Sequence, residues 1–322
     1  MQPRTQVLLL AAANFVFAGC ATSSEAVLAG DAAQTQLSAQ GDADSLAASA
    51  LFARLNRQLE ASKSAVLSAA SAAAALDLAA RAVAAAPDRP YLVLEQLQLC
   101  QEVPSCNSQA LESRLQELDP ENGIPWMYAL LRAQSANDPE AVRRARTGMA
   151  RAQRMDWHWT ETVSHLTKAV TGIAGINADQ AFLDVLGIES ALMTPLQPVA
   201  KACAAQEIQQ PEVLAQCRQI ADEFRQGDIY IFEMYGTSLG RRFWPEGSVE
   251  WAQIAAERRR AHYWQDVWSH HLIRLNSKSS SRIQATLYAQ YPTEQQVFRA
   301  LYLRLGFKPD PPAGWIDKTP GG

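Results

Sequence analysis

The chain has 322 residues, enough to bury a large core as one big domain or two ordinary ones. Its formal net charge of −4 argues against the concentrated basic surface that nucleic acid requires. No apolar run reaches about 18 residues, so no permanent membrane-spanning helix is expected. Hydrophobic residues make up 48%, with alanine supplying much of that in the first half. Alanine favours helices and lets them pack closely, while giving little apolar area per residue.

Residues 1–19 read as an export signal, with Arg4 as a thin positive region and an apolar core from Val7 to Phe17. The core ends at Phe17-Ala18-Gly19-Cys20. This resembles the lipobox of bacterial lipoproteins, in which small residues precede a cysteine that is lipidated and becomes the mature N-terminus. The match departs from the pattern at Phe17, where a leucine-like residue is usual, and at Asn14, which interrupts the apolar stretch. The alternative is an ordinary cleaved signal that happens to contain a cysteine. The resemblance implies a lipid anchor at Cys20 and a place on the periplasmic face of the bacterial cell envelope. Ala21, in place of aspartate, points to the outer membrane. The five cysteines fit this reading. Lipidation of Cys20 accounts for the odd number and leaves Cys100, Cys106, Cys203 and Cys217 to pair in an oxidising periplasm.

Residues 20–43 are mainly small and polar, and read as the lipidated cysteine and a flexible tether. A helical repeat region is expected over 44–156. Leu51, Leu55 and Leu59 recur at helical spacing beside Phe52. Ser64 to Ala86 is almost all alanine, with leucines at helical spacing that favour a long helix over low-complexity disorder. Pro87 and Pro90 break it. Tyr91 to Val103 and Asn107 to Leu118 then form two helices around Pro104-Ser105. Asp119-Pro120-Glu121-Asn122 opens a second pair, with Asn122 as a cap and Pro125 tolerable in the first turn. Its first helix carries Trp126, Ala129, Leu130 and Ala133. Its second starts at Asp138-Pro139-Glu140 and aligns Ala141, Ala145 and Gly148 on one face.

Pro87 and Pro120 stand 33 positions apart, close to the period of about 34 of a helix-turn-helix repeat. These residues resemble the tetratricopeptide repeat family. Its large residue in the first helix matches Trp126, its small residues in the second match Ala141 and Ala145, and its closing proline matches Pro87 and Pro120. The chain departs from the family at Leu130 and Ala133, where a Gly–Tyr pair is expected. It departs again in the short connection Ala136 to Asp138, and at Met155, which replaces a third proline. The resemblance implies two degenerate repeats over 87–154. A generic helical bundle is the alternative.

A second helical region is expected over 157–306, with helices at 159–173, 177–192 and 195–208. Cys203 and Cys217 lie seven positions either side of Gln210, beside Pro211. An antiparallel bend there would bring them to the same height, as a disulfide needs. Cys100 and Cys106 straddle Pro104 in the same way; a metal pair is the alternative, but no histidine lies near in sequence. Two helices follow over 212–243, broken near Gly227-Asp228, then a long helix from Val249 to Leu275 and shorter ones at 282–290 and 293–305. Thr293 with Gln296 fits a capping box, and Gly306 fits a left-handed helix end. The proline-rich tail, 307–322, suggests an extended arm laying Trp315 onto the body. The whole chain reads as all-α.

The sequence shows no phosphate loop, nucleophile elbow, dinucleotide fingerprint or paired metal motif, and no cofactor is expected. His270 and His271 are adjacent, so on a helix they diverge by about 100° and do not share a metal easily. The richest patch combines Glu233, Tyr235, Arg241, Arg242, Trp251, Arg258, His262 and Trp264. A carboxylate, arginines and aromatics on neighbouring helices suit an anionic or sugar-like ligand. The alternative is that the aromatics are core and Arg258-Arg259-Arg260 is a solvated face. The reading favoured by the sequence is a non-enzymatic, membrane-tethered scaffold that binds envelope proteins. Its rival is an envelope enzyme or ligand-binding protein with a site near Glu233 to Trp264.

Overall fold

The computed structural model describes residues 24–61, 65–171, 173, 175–191, 196–272 and 278–317. The export signal and Cys20 lie outside the described residues. The protein is all-α: in chain order α1 (Ser24–Gln40), α2 (Ala43–Ala61), α3 (Ala65–Ala85), α4 (Pro90–Cys100), α5 (Ser108–Leu118), α6 (Ile124–Ser135), α7 (Pro139–Arg151), α8 (Trp159–Thr171), α9 (Ala178–Ala191), α10 (Gln197–Ala202), α11 (Pro211–Arg225), α12 (Tyr230–Phe243), α13 (Val249–Val267), α14 (Lys278–Tyr288) and α15 (Glu294–Arg304). Among the described residues the extended backbone pairs only at one isolated parallel bridge, Asn122 with Arg154.

The chain divides into two compact units that interleave in sequence. Met1–Ser108 joins Val163–Thr194, and Gln109–Thr162 joins Pro195–Gly322. The sequence-based division at 156/157 separates alanine-rich from aromatic-rich chain, which is a difference of composition rather than of packing.

In the first unit α1, α2, α3 and α4 pack each on the next. Residues 24–40, read from composition as part of a flexible tether, are helical. Ala33 and Leu37 are buried, and Ser49 donates to the Gln34 carbonyl at 3.0 Å. Gly41 turns the chain at φ +76°, and the Asp42 carboxylate accepts from Ser45 N at 3.0 Å to start α2. Low apolar content suggested disorder, but alanine is the best helix former, and two small contacts suffice against a neighbour that is itself alanine-rich. The α3 seam has the same character, with Ala72, Ala75, Ala79 and Ala82 buried at helical spacing around Leu78. Pro90 sits in the first turn of α4, where a missing N–H costs nothing, and Tyr91, Leu92, Leu94 and Leu97 are fully buried.

In the second unit α6 and α7 form a tight hairpin, α7 packs on α11, and α11, α12 and α13 follow each against the last. Asn137, in the left-handed region at φ 51°, ends the first helix of the hairpin, and Asp138 caps the second by accepting from Ala141 N at 2.9 Å. Gly148 lets the hairpin close: a Cβ there would stand 2.2 Å from the Trp126 ring. Gly236 does the same for α11 and α12, since its Cβ would lie 2.5 Å from the Arg225 backbone nitrogen. Arg132 grips the buried Glu112 carboxylate from α6 with two nitrogens, 2.8 to 3.2 Å away.

Both expected disulfides are present, Cys100–Cys106 with Cα atoms 5.4 Å apart and Cys203–Cys217 at 5.8 Å. The second is not held by two facing helices. The expected helix 195–208 is only α10, followed by a 3-10 turn at Glu207–Gln209, so Cys203 caps α10 and Cys217 comes from within α11. Pro211 starts α11 but does not make a hairpin. The expected helix Val249 to Leu275 ends at Val267 and continues as a π turn, Trp268–Leu272.

A buried clasp joins distant parts of this unit. Asp228, between α11 and α12, accepts from the backbone nitrogens of Trp157 and Trp159 at 2.8 and 2.9 Å, and its own carbonyl accepts from Glu294 N at 2.7 Å. Burial, followed by the charge of Asp156, raises the pKa of this carboxyl well above the carboxylate range, against the two backbone donors. Trp157 then packs edge-on to Phe232, 5.8 Å between centroids.

Candidate functional site

The residues the sequence singled out fall into three groups. Tyr235 is core: it is buried on α12, packs edge-on against Phe224 and donates to the Leu196 carbonyl at 2.9 Å. Arg241 lies over the Trp251 ring at 5.6 Å, near the junction of α12 and α13, and Arg242 is exposed. Glu233, Arg258, His262 and Trp264 belong to a third surface along α13, where the long helix faces the tail.

Periodicity builds that surface. Arg259, Tyr263 and Asp266 follow one another along a single stripe of α13, with Arg260 and Trp264 on the adjacent stripe. After Gly306 closes α15 at φ +78°, the chain runs back across both stripes as a strap that turns where Gly314 N and Trp315 N both donate to the Pro312 carbonyl at 3.0 Å. Trp264 Nε1 donates to the Pro309 carbonyl at 2.6 Å, and Arg259 Nη2 donates to the Trp315 carbonyl at 2.5 Å. The Trp315 ring lies edge-on to Tyr263 at 5.6 Å and under the Arg259 guanidinium at 5.5 Å, and its Nε1 donates to Asp266 at 3.2 Å. Asp317 meets Nδ1 of the fully buried His262. His262 Nε2 has no hydrogen-bond partner among the described residues.

Charge is arranged beneath the strap. Glu233 is 2% exposed and accepts from Arg260 Nη2 at 2.7 Å, while Arg260 also lies over the Trp264 ring at 5.7 Å. Burial raises the Glu233 carboxyl pKa, and Arg260 opposes the shift. The arginine run is therefore not a free solvated face: Arg258 bonds Ser238 at 2.7 Å, Arg259 holds the strap and Arg260 holds Glu233. Asp310 and Pro311 line an open groove of about 430 Å³ together with Gln253, Ala256, Glu257, Arg259 and Arg260. No protein-family model, curated protein or solved structure matches this chain. Two α13 donors meet carbonyls of the chain's own C-terminal segment, Tyr263 and Arg259 seat its indole, and the His262 imidazole meets its carboxylate.

Two clusters were missed by sequence reasoning. In the second unit Asp119, Asp156 and His158 place one potential ligand atom each within 4.8 Å of one another. They are poor metal ligands as they stand, because Arg154 pairs with Asp119, Glu121 and Asp156. Burial lowers the His158 imidazole pKa, but hydrogen bonds to Asp119 at 3.2 Å and Glu161 at 3.3 Å, with the charge of Asp156, raise it to about 10. The ring is thus a cation at neutral pH. The signal was a histidine between two tryptophans, opposite an acidic turn.

In the first unit Glu95 and Glu189 are buried and hydrogen-bonded to each other beside Arg54, which pairs with Glu102. Burial raises both carboxyl pKa values against the attraction of Arg54, Glu95 to about 7. A carboxylate in the middle of the apolar run Tyr91 to Leu99 was the available sign.

Proposed function

We propose that the protein is a non-enzymatic helical scaffold for protein–protein interaction, tethered to the bacterial envelope through Cys20 and working on the periplasmic face of the outer membrane. One observation carries the binding half of this reading. The α13 surface holds the C-terminal segment through that segment's backbone carbonyls, at Pro309 and Trp315, contacts that do not depend on the side chains at those positions. The α6–α7 hairpin, closed by Trp126 over Gly148, supports the second of the two tetratricopeptide-like repeats read over 87–154. The two disulfides support an oxidising compartment.

A photocrosslinking side chain at the exposed Gln253, introduced in cells of intact envelope, tests the scaffold reading. A discrete crosslinked protein is expected, and recovery of none counts against it. Cys20→Ser is expected to release the protein from the membrane fraction; unchanged fractionation refutes the anchor. The rival reading, a small-ligand or enzyme site near Glu233 to Trp264, draws on the groove beside Asp310 and on Glu233 Oε2, which has no hydrogen-bond partner among the described residues. A sugar or small anion binding with one-to-one stoichiometry, lost in Arg260→Ala, would favour it.

A further inference from the structure

In the first unit α9 lies against α2, and its Phe182, Val185 and Ile188 are buried. The polar side of this helix is Glu189, 1% exposed, which meets the buried Glu95 of α4 carboxyl to carboxyl. Carboxylates only accept hydrogen bonds, so a bond between two of them requires a proton on one. Glu189 Oε1 has no partner among the described residues, so Glu95 is what this carboxyl has in place of water. Glu95 and Gln98 stand one turn apart on α4, and Glu102 follows just past its end. Facing them is the buried Arg54 of α2, whose Nη2 pairs with Glu102 and whose charge acts on both Glu95 and Glu189. With the shared proton in place, these three acids carry two negative charges against one arginine; without it they carry three. Burial keeps both carboxyls protonated to higher pH than a surface glutamate, against the attraction of Arg54, Glu95 to about 7. The connection into α9 contains Gly175, exposed at φ +86° with open space at its Cβ position, and a glycine there can absorb the backbone change of a hinge.

We propose that Glu95 and Glu189 form a proton-operated latch. One proton shared between them holds α9 on α2 and α4, and its loss frees α9 to swing out about Gly175 while the stack of α1 to α4 stays folded. The step is a proton transfer to solvent: the hydrogen bond between the carboxyls breaks, both ionise, and Arg54 is left facing three carboxylates. The closed pair binds a proton that the open pair gives up. The latch is therefore tightest below the ordinary glutamate range, and opening grows easier as pH rises towards the raised values of the closed pair. What it uncovers is apolar, the α9 face of Phe182, Val185 and Ile188 with the α2 surface beneath it.

Hydrogen exchange of the full chain, read by mass spectrometry on peptides from α9 and from α1 to α4 between pH 5 and 7, tests the latch. After correction for the intrinsic exchange rate, protection of α9 is expected to fall about tenfold per pH unit, one proton being released on opening, while protection of α1 to α4 changes little. Glu189→Gln, whose amide donates to the Glu95 carboxylate without a shared proton, is expected to keep α9 protected and to remove the slope. Glu95→Gln makes the same exchange from the other side if the first variant does not fold. Protection of α9 that stays flat with pH in the natural chain overturns the proposal, as does a slope that survives in the glutamine variant. A fall shared equally by α1 to α4 overturns it too, since it assigns the effect to unfolding of the whole unit.

Discussion

Replacing His158 with asparagine should cost stability at pH 6 and progressively less as pH rises towards 10. His158 sits at φ 55°, in the left-handed region that asparagine tolerates, so the exchange adds little backbone strain. Its side chain is 10% exposed and is enclosed by Asp119, Asp156 and Glu161. The folded pKa of about 10 stands above the ordinary value of 6.5. At about 1.4 kcal/mol per pH unit, that difference corresponds to roughly 4–5 kcal/mol. Because the folded pKa is the raised one, this stability is fully present below pH 6.5 and is lost as pH climbs through 10. Urea unfolding of both proteins at pH 6, 8 and 10.5 measures it. At pH 6 the variant is expected to be less stable by about 4 kcal/mol, at pH 8 by about half that, and at pH 10.5 by less than about 1 kcal/mol. A stability difference that stays constant across this range would refute a charged His158.

Other perturbations test other parts of the framework. Gly148→Ala drives a Cβ to 2.2 Å from the Trp126 ring and should cost about 1–3 kcal/mol, read as a lower melting temperature that Trp126→Leu partly restores. Asp228→Ala strips the acceptor from two buried backbone N–H groups at about 1–3 kcal/mol each, while Asp228→Asn, which keeps one acceptor oxygen, should cost less in the same urea assay. Opening the Cys203–Cys217 loop by a double serine exchange should cost about 3 kcal/mol in the chain-entropy picture, and slightly more than opening the shorter Cys100–Cys106 loop.

What could be read from sequence was whatever depends on local periodicity. The proline-initiated helix at Pro139, the Asp138 and Thr293 caps and the Gly306 stop all follow from short-range backbone chemistry, and each stands where expected, whereas Pro90, read as a breaker, opens α4. The disulfide partners followed from counting, although the turn that joins Cys203 to Cys217 did not. Composition misled at α1, where alanine and glutamine look like a linker until a matching alanine surface lies beside them. The patch was half legible. Glu233, His262 and Trp264 do share the α13 surface, but Tyr235 points into core, and the decisive pairs, Arg259 with Trp315 and His262 with Asp317, join positions 56 and 55 apart in sequence with no periodic link between them. The buried acids Glu95 and Glu189 were invisible for the same reason, since nothing local records which two helices will meet.

The Asp228 clasp also dictates an order of events. Trp157 and Trp159 receive their acceptor from a residue about 70 positions downstream, and Asp228 in turn receives Glu294 from a further 66. The loop that follows the α6–α7 hairpin cannot settle while only the first half of the chain exists, however readily the hairpin itself forms. Trp157, among the largest fully buried side chains, stays uncovered until then. A chain that ends before α12 lacks Asp228 and Phe232, the acceptor and the ring that meet Trp157, and the clasp is complete only when Glu294 adds its N–H to the Asp228 carbonyl.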